Sequence, residues 1–132
     1  MRHLIAVFGL MLLAALPARA ESEWVCDNAP DNATHVACAD RELKKSDAEL
    51  NRVYQNLMRT LSADSKPING YGTDPATALR ESQQAWIVFR DKNCHWKATS
   101  FYGGSGQSVI GVSCLAIATR ERVKELNDFS QE

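Results

Sequence analysis

Beyond Leu16 the sequence has no hydrophobic run long enough to cross a bilayer, which takes about 20 apolar residues, and the run from Leu4 to Leu16 is itself too short. It has no Cys-x-x-Cys pair, and His35 and His95 sit at no ligand spacing, so nothing in the pattern asks for zinc, and neither a metal nor a cofactor is expected. Positive charge is not in excess: 15 basic residues face 16 acidic ones, which leaves no electrostatic footprint for a nucleic-acid partner. The one glycine-rich stretch, Gly103-Gly104-Ser105-Gly106, lacks the lysine and the following helix of a phosphate-binding loop. No internal repeat or low-complexity segment is present. Neither Gly nor Pro occurs between Val36 and Leu61, so nothing there interrupts a helix.

What is present begins with an address. Met1-Arg2-His3, the short apolar run and Ala18-Arg19-Ala20 together describe a secretory signal peptide over residues 1–20, with cleavage expected after Ala20. Taking those 20 residues from 132 leaves an exported chain of 112, a single domain over 21–132. Cys26, the first cysteine, lies six residues past the cut, so no lipid anchor and no membrane insertion are expected. Removing Arg2 and Arg19 leaves 13 basic against 16 acidic residues, a net charge near −3 that is mildly compatible with a cationic protein partner. The destination is the periplasm or the medium, where cysteines oxidise by default. Cys26, Cys38, Cys94 and Cys114 therefore read as two disulfides. Of the three possible pairings, the local ones, Cys26 with Cys38 and Cys94 with Cys114, are favoured because each closes a short loop; a long-range Cys38 to Cys94 link is the alternative.

The fold class expected is all-α: an antiparallel helical hairpin plus a third, C-terminal helix. Residues 21–32 read as an irregular arm tied down by Cys26, with Thr34 as a candidate cap. The first helix spans Val36 to Leu61 on the stripe Ala37, Leu43, Leu50, Val53, Tyr54, Leu57, Met58 and Leu61, and Ser46-Asp47-Ala48-Glu49 marks a place where it could restart. Ser62 to Asp74, with Pro67, Gly70 and Gly72, reads as a surface connection. Asp74 then caps a second helix with Pro75 at its first position, running to about Lys97. Phe101 to Ser108 looks the most flexible, Val109 to Val112 a short apolar return, and Ser113 a cap for a third helix from Cys114 to Phe129 facing inward with Leu115, Ala118, Val123 and Leu126.

The second helix organises the rest. Leu79, Gln83, Trp86, Arg90 and Cys94 recur every three or four residues, so they share one face, and that face carries polar groups through an apolar seam. In an antiparallel hairpin, facing residues have numbers with a constant sum. The sum 137 sets Asp47 against Arg90, Asn51 against Trp86, Tyr54 against Gln83 and Met58 against Leu79. A charge-assisted hydrogen bond between Asp47 and Arg90 is expected near the cysteine end.

No catalytic constellation emerges. Cys94 beside His95 suggests a thiol and a base, but adjacent helical residues point about 100° apart, and an exported cysteine among three others is expected to be bridged. Carboxylate pairs such as Asp47 and Glu49, or Glu121 and Glu125, belong to any solvated helix. Binding is what remains. Phe101, Tyr102, Gly104, Ser105 and Gln107 join aromatic area to small adaptable groups, a composition suited to contact with a protein partner.

Cys38, Asp47-x-x-Leu50-Asn51-x-x-Tyr54, Gln83-x-x-Trp86-x-x-x-Arg90-x-x-x-Cys94, Gly103-Gly104-Ser105, Cys114 and Thr119-x-x-Arg122 with Leu126, in that order, resemble the lysozyme inhibitor LprI-like family of small bacterial envelope proteins. The resemblance covers the chain from about Cys26 to Leu126. It implies an all-helical secreted or periplasmic domain, no catalytic motif and, for some members, inhibition of lysozyme. Occlusion of the enzyme by the Phe101 to Ser108 loop is the mechanism expected. An envelope interaction module without inhibitory activity is the alternative.

Overall fold

The computed structural model describes residues 26–63 and 72–130, and the leader expected over residues 1–20 and most of the connection expected between Ser62 and Asp74 lie outside them. Three helices make up the described chain: α1, Asn32–Ala63; α2, Pro75–Thr99; and α3, Gly106–Phe129. Both favoured disulfides are formed, Cys26–Cys38 across 12 residues and Cys94–Cys114 across 20. In the chain-entropy picture each contributes about 3 kcal/mol.

α1 begins earlier than expected, and Asp31 rather than Thr34 caps it: the Thr34 amide donates to Asp31 Oδ1 at 2.7 Å. No restart occurs at Ser46. Glu49, the other half of that capping box, accepts from Arg52 at 2.6 and 2.8 Å instead. With no helix breaker in its interior, α1 runs as one rod, and Ala39, Leu43, Ser46, Leu50, Val53 and Leu57 recur at the 3-4 spacing of a single seam, each fully or partly buried. α2 starts as expected, with Asp74 Oδ1 accepting from the Thr77 amide at 2.9 Å and Pro75 in the first turn.

α3 departs most from expectation. It starts at Gly106, not Cys114, so Val109 to Val112 is helix rather than an extended return, and Ser113 is fully buried mid-helix rather than at a cap. The glycines and β-branched residues of this stretch weaken helix propensity locally, but packing of a long face overrides propensity. That face is Val109, Ser113, Ala116, Thr119, Arg122 and Leu126. Leu126 is the one expected inward residue that is fully buried; Leu115, Ala118 and Val123 sit at the flanks, partly covered.

α3 is also the central element. It packs extensively along α1 and less extensively along α2, while α1 and α2 touch least. The two ends of the seam differ in kind. Near the disulfides, Ala39 meets Ala116, with Leu43, Val112 and Ile117 around them, so small side chains let α1 and α3 approach closely. Farther along, Leu50, Val53, Leu57 and Leu126 form the larger cluster, joined by Tyr54, Leu79, Trp86 and Val123. These partners show that α1 and α3 run parallel, with α2 antiparallel between them in sequence.

Asp31 and Asp74 both sit at helix starts, and in each case the hydrogen bond from a backbone amide, Thr34 or Thr77, holds the carboxyl below its ordinary value. A depressed folded pKa means that the stabilisation is complete above the unfolded value, about pH 4, and is lost as pH falls through the lower folded one. Asp31→Ala and Asp74→Ala should each lower the melting temperature at pH 7, and the gap to wild type should close in melts recorded well below pH 4.

Candidate functional site

Trp86 lies at the meeting point of the three helices. Its ring is approached by two guanidinium groups, Arg90 from its own helix at 5.2 Å and Arg122 from α3 at 5.7 Å from the ring centroid. Arg90 Nη1 donates to Asp47 Oδ1 of α1 at 3.1 Å and to Thr119 Oγ1 of α3 at 3.0 Å, and its Nε donates to Asp91 at 2.9 Å. One side chain thus ties all three helices. The Thr119 hydroxyl in turn donates a hydrogen bond to the Leu115 carbonyl at 2.8 Å.

Arg122 is only 6 % exposed, so its charge must be met inside the protein. Its Nε donates to Gln83 Oε1 at 3.0 Å, its Nη2 to Ser82 Oγ at 3.2 Å and its Nη1 to Glu125 Oε1 at 2.7 Å. The buried amide of Gln83 is satisfied by Arg122, where the hairpin register would set it against Tyr54; Tyr54 packs on the apolar cluster. Asn51, expected opposite Trp86, is exposed. Thr119, Arg122 and Ser82 are the members that reasoning on the α1–α2 hairpin alone could not supply. A signal did exist: on an α3 extended back to Gly106, an arginine falls on the same stripe as Ala116 and Leu126.

At the disulfide end the connection from α2 to α3 is a compact turn over residues 100–105, and Gln107 and Ser108 belong to the first turn of α3. The Phe101 and Tyr102 amides donate to Ala98 and Thr99 carbonyls at 3.1 Å, continuing α2, and the Gly104 amide closes back on the Phe101 carbonyl at 2.9 Å. Gly103 adopts φ +76°, a left-handed conformation that favours glycine. The Phe101 ring lies over Gly106, where a Cβ would come within 3.3 Å of it. Asn32 Nδ2 donates to Ser105 Oγ at 2.9 Å, pinning the turn to the start of α1. Of the candidate contact residues, Phe101, Tyr102, Gly104 and Ser105 are exposed, Tyr102 at 85 %, and Gln107 is half-buried. A helix does follow the glycine-rich turn, but no lysine accompanies it.

Two arrangements resemble catalytic pairs in residue type. Ser113 Oγ is 3.3 Å from His35 Nε2, the spacing of a nucleophile and its base, but Ser113 is fully buried and no substrate can reach it. Cys94 is bridged, so His95 has no thiol to activate. An open groove of about 600 Å³ lies at the far end, between Leu61, Pro75, Leu79 and Phe129. Arg122 borders it, but its donors are engaged by Gln83, Ser82 and Glu125. Among the described residues no cluster of side chains suits a metal, and no helix is long and apolar enough to cross a membrane.

Residues 26–126 match the family described as Lysozyme inhibitor LprI. An uncharacterized protein of Rhizobium meliloti (strain 1021) is 31 % identical over 135 residues, covering 99 % of this chain and 97 % of that protein. No solved structure matches.

The Arg122–Gln83 contact makes a testable demand. Arg122→Met strands a buried amide oxygen and should cost about 1–3 kcal/mol in urea unfolding, as should Gln83→Leu, which leaves the Arg122 Nε–H without its acceptor. The double variant should lose clearly less than the sum of the two. Strict additivity would show that the contact contributes nothing.

Proposed function

This chain belongs to the lysozyme inhibitor LprI family, and on that premise we propose that it is an exported inhibitor that binds lysozyme and occludes its active site. Residues 1–20 act as the export leader, and the periplasm or medium is the working compartment, in keeping with two disulfides.

The observation that carries the reading is the α2–α3 turn. Tyr102 is the most exposed of the large hydrophobic side chains among the described residues, and it stands on a turn held by helix at both sides, by Asn32–Ser105 across to α1 and by Cys94–Cys114 behind. An exposed aromatic on a fixed turn loses little freedom on binding, which favours affinity. Lysozyme is a cationic enzyme with two carboxylates along a sugar cleft. A projecting Tyr102, flanked by Phe101, Gly104, Ser105 and Gln107, fills such a cleft, and the net negative charge of the exported chain speeds encounter. No residue of the inhibitor needs to react.

Protein purified from the periplasm of an expression host should slow lysis of bacterial cell walls by at least one of the c-, g- and i-type lysozymes at micromolar concentration. Tyr102→Ser should weaken inhibition about 30-fold, the effect of losing a central aromatic anchor, while the melting temperature stays unchanged. Undiminished lysis with all three enzymes would sink the proposal, and equal inhibition by Tyr102→Ser would remove the turn from it.

A further inference from the structure

α2 carries large apolar side chains on both sides. Its inner face holds Leu79, Gln83, Trp86 and Cys94; on the outer face, Val88, Phe89 and Trp96 stand in solvent, Phe89 at 65 % and Trp96 at 66 % exposure. Single exposed apolar residues are ordinary, but these lie on one stripe with exposed Ala85 and Lys92. From Ala78 through Glu81, Ala85, Val88 and Lys92 the stripe advances by three or four residues at each step, the spacing of a coiled-coil seam. Among the described residues nothing of the same chain covers it.

We propose that this outer face of α2 is the interface of a homodimer, in which α2 of one copy packs antiparallel on α2 of another. The charges select that occupant. Glu81 and Lys92 are the two charged residues on the stripe, they are opposite in sign, and neither has an ion-pair partner among the described residues of its own chain. About a two-fold axis between positions 86 and 87, each Glu81 meets the Lys92 of the other copy, since 81 and 92 add to 173. The same register sets Ala85 against Val88 at the centre, where small side chains let the helices approach, and sets Trp96 beside Thr77 and Ala78, where there is room for an indole. A two-fold pairing satisfies both charges twice over.

From Thr77 to Trp96 the face is about 30 Å long at 1.5 Å per residue. A single helix pair of that length belongs at the small end of specific interfaces, so the dimer dissociates on dilution. The Phe101–Ser105 turns are left at opposite ends of the paired helices. This pairing does not depend on lysozyme being the target, because it is measured without the enzyme.

Sedimentation equilibrium of the periplasm-purified, oxidised protein should show the mass rising from one chain to two between micromolar and near-millimolar concentration. Lys92→Glu should weaken association about tenfold by setting like charges against each other, and Glu81→Lys combined with Lys92→Glu should restore it. Phe89→Gln should weaken it without altering the charges. All these positions are exposed, so circular dichroism should report an unchanged fold. A single-chain mass at every concentration, or a dimer indifferent to Lys92→Glu, or a double exchange that fails to restore association, overturns the proposal.

Discussion

The contact on which the structure most depends is the seating of the Trp86 ring beside two arginines that belong to different helices. An indole brings large apolar area, and a guanidinium is the one cation weakly enough hydrated to lie against it while keeping its hydrogen bonds in plane. Arg90 and Arg122 use that property differently. Arg90 reaches Asp47 and Thr119 and so fixes the rotation of α2 relative to both neighbours. Arg122 is buried and spends its donors on Gln83, Ser82 and Glu125. Directional bonds of this kind give the bundle one register, where an all-apolar seam would tolerate slippage between helices.

The division of labour along the bundle follows from side-chain size. Ala39 against Ala116 brings α1 and α3 close where Cys26–Cys38 and Cys94–Cys114 clamp the chain. Leu50, Val53, Leu57 and Leu126 fill the wider region, and Trp86 bridges to it. The clamped, closely packed end is also the end that carries the α2–α3 turn. The turn that exposes Tyr102 is therefore mounted on the most constrained part of the molecule, and the groove lies at the opposite end.

Much of this is legible in the residues, and what is not has identifiable causes. Asp74-Pro75 announces its helix because capping chemistry is local, and the disulfides formed are the short-loop pair favoured over a Cys38–Cys94 link. The Asp47–Arg90 contact follows from a two-helix register. The start of α3 was hidden by Gly103, Gly104, Gly106 and the Val109–Val112 run, whose local preferences oppose the helix that tertiary packing enforces. The dominance of α3 was hidden because its contact residues include Gly111, Ser113, Ala116 and Thr119, small or polar groups that carry little hydrophobic signal while permitting close approach. Arg122 was unreadable from a hairpin because its partners, Ser82 and Gln83, lie across a second interface.

α2 exposes large apolar side chains on the side away from its polar inner seam. A helix whose inner face is built from Gln83, Trp86, Arg90 and Cys94 is fixed by directional bonds and a disulfide, so its orientation does not rely on contrast between an oily side and a wet side. That frees the outer face from the usual requirement of polarity, and Val88, Phe89 and Trp96 can stand in solvent without competing for the core position. In a bundle held by apolar packing alone, such a face would invite α2 to rotate and bury it. Here rotation would break the bonds from Arg90 to Asp47 and Thr119 together with the bond from Arg122 to Gln83, and it would pull against Cys94–Cys114. The polar seam inside is thus the condition for an apolar surface outside.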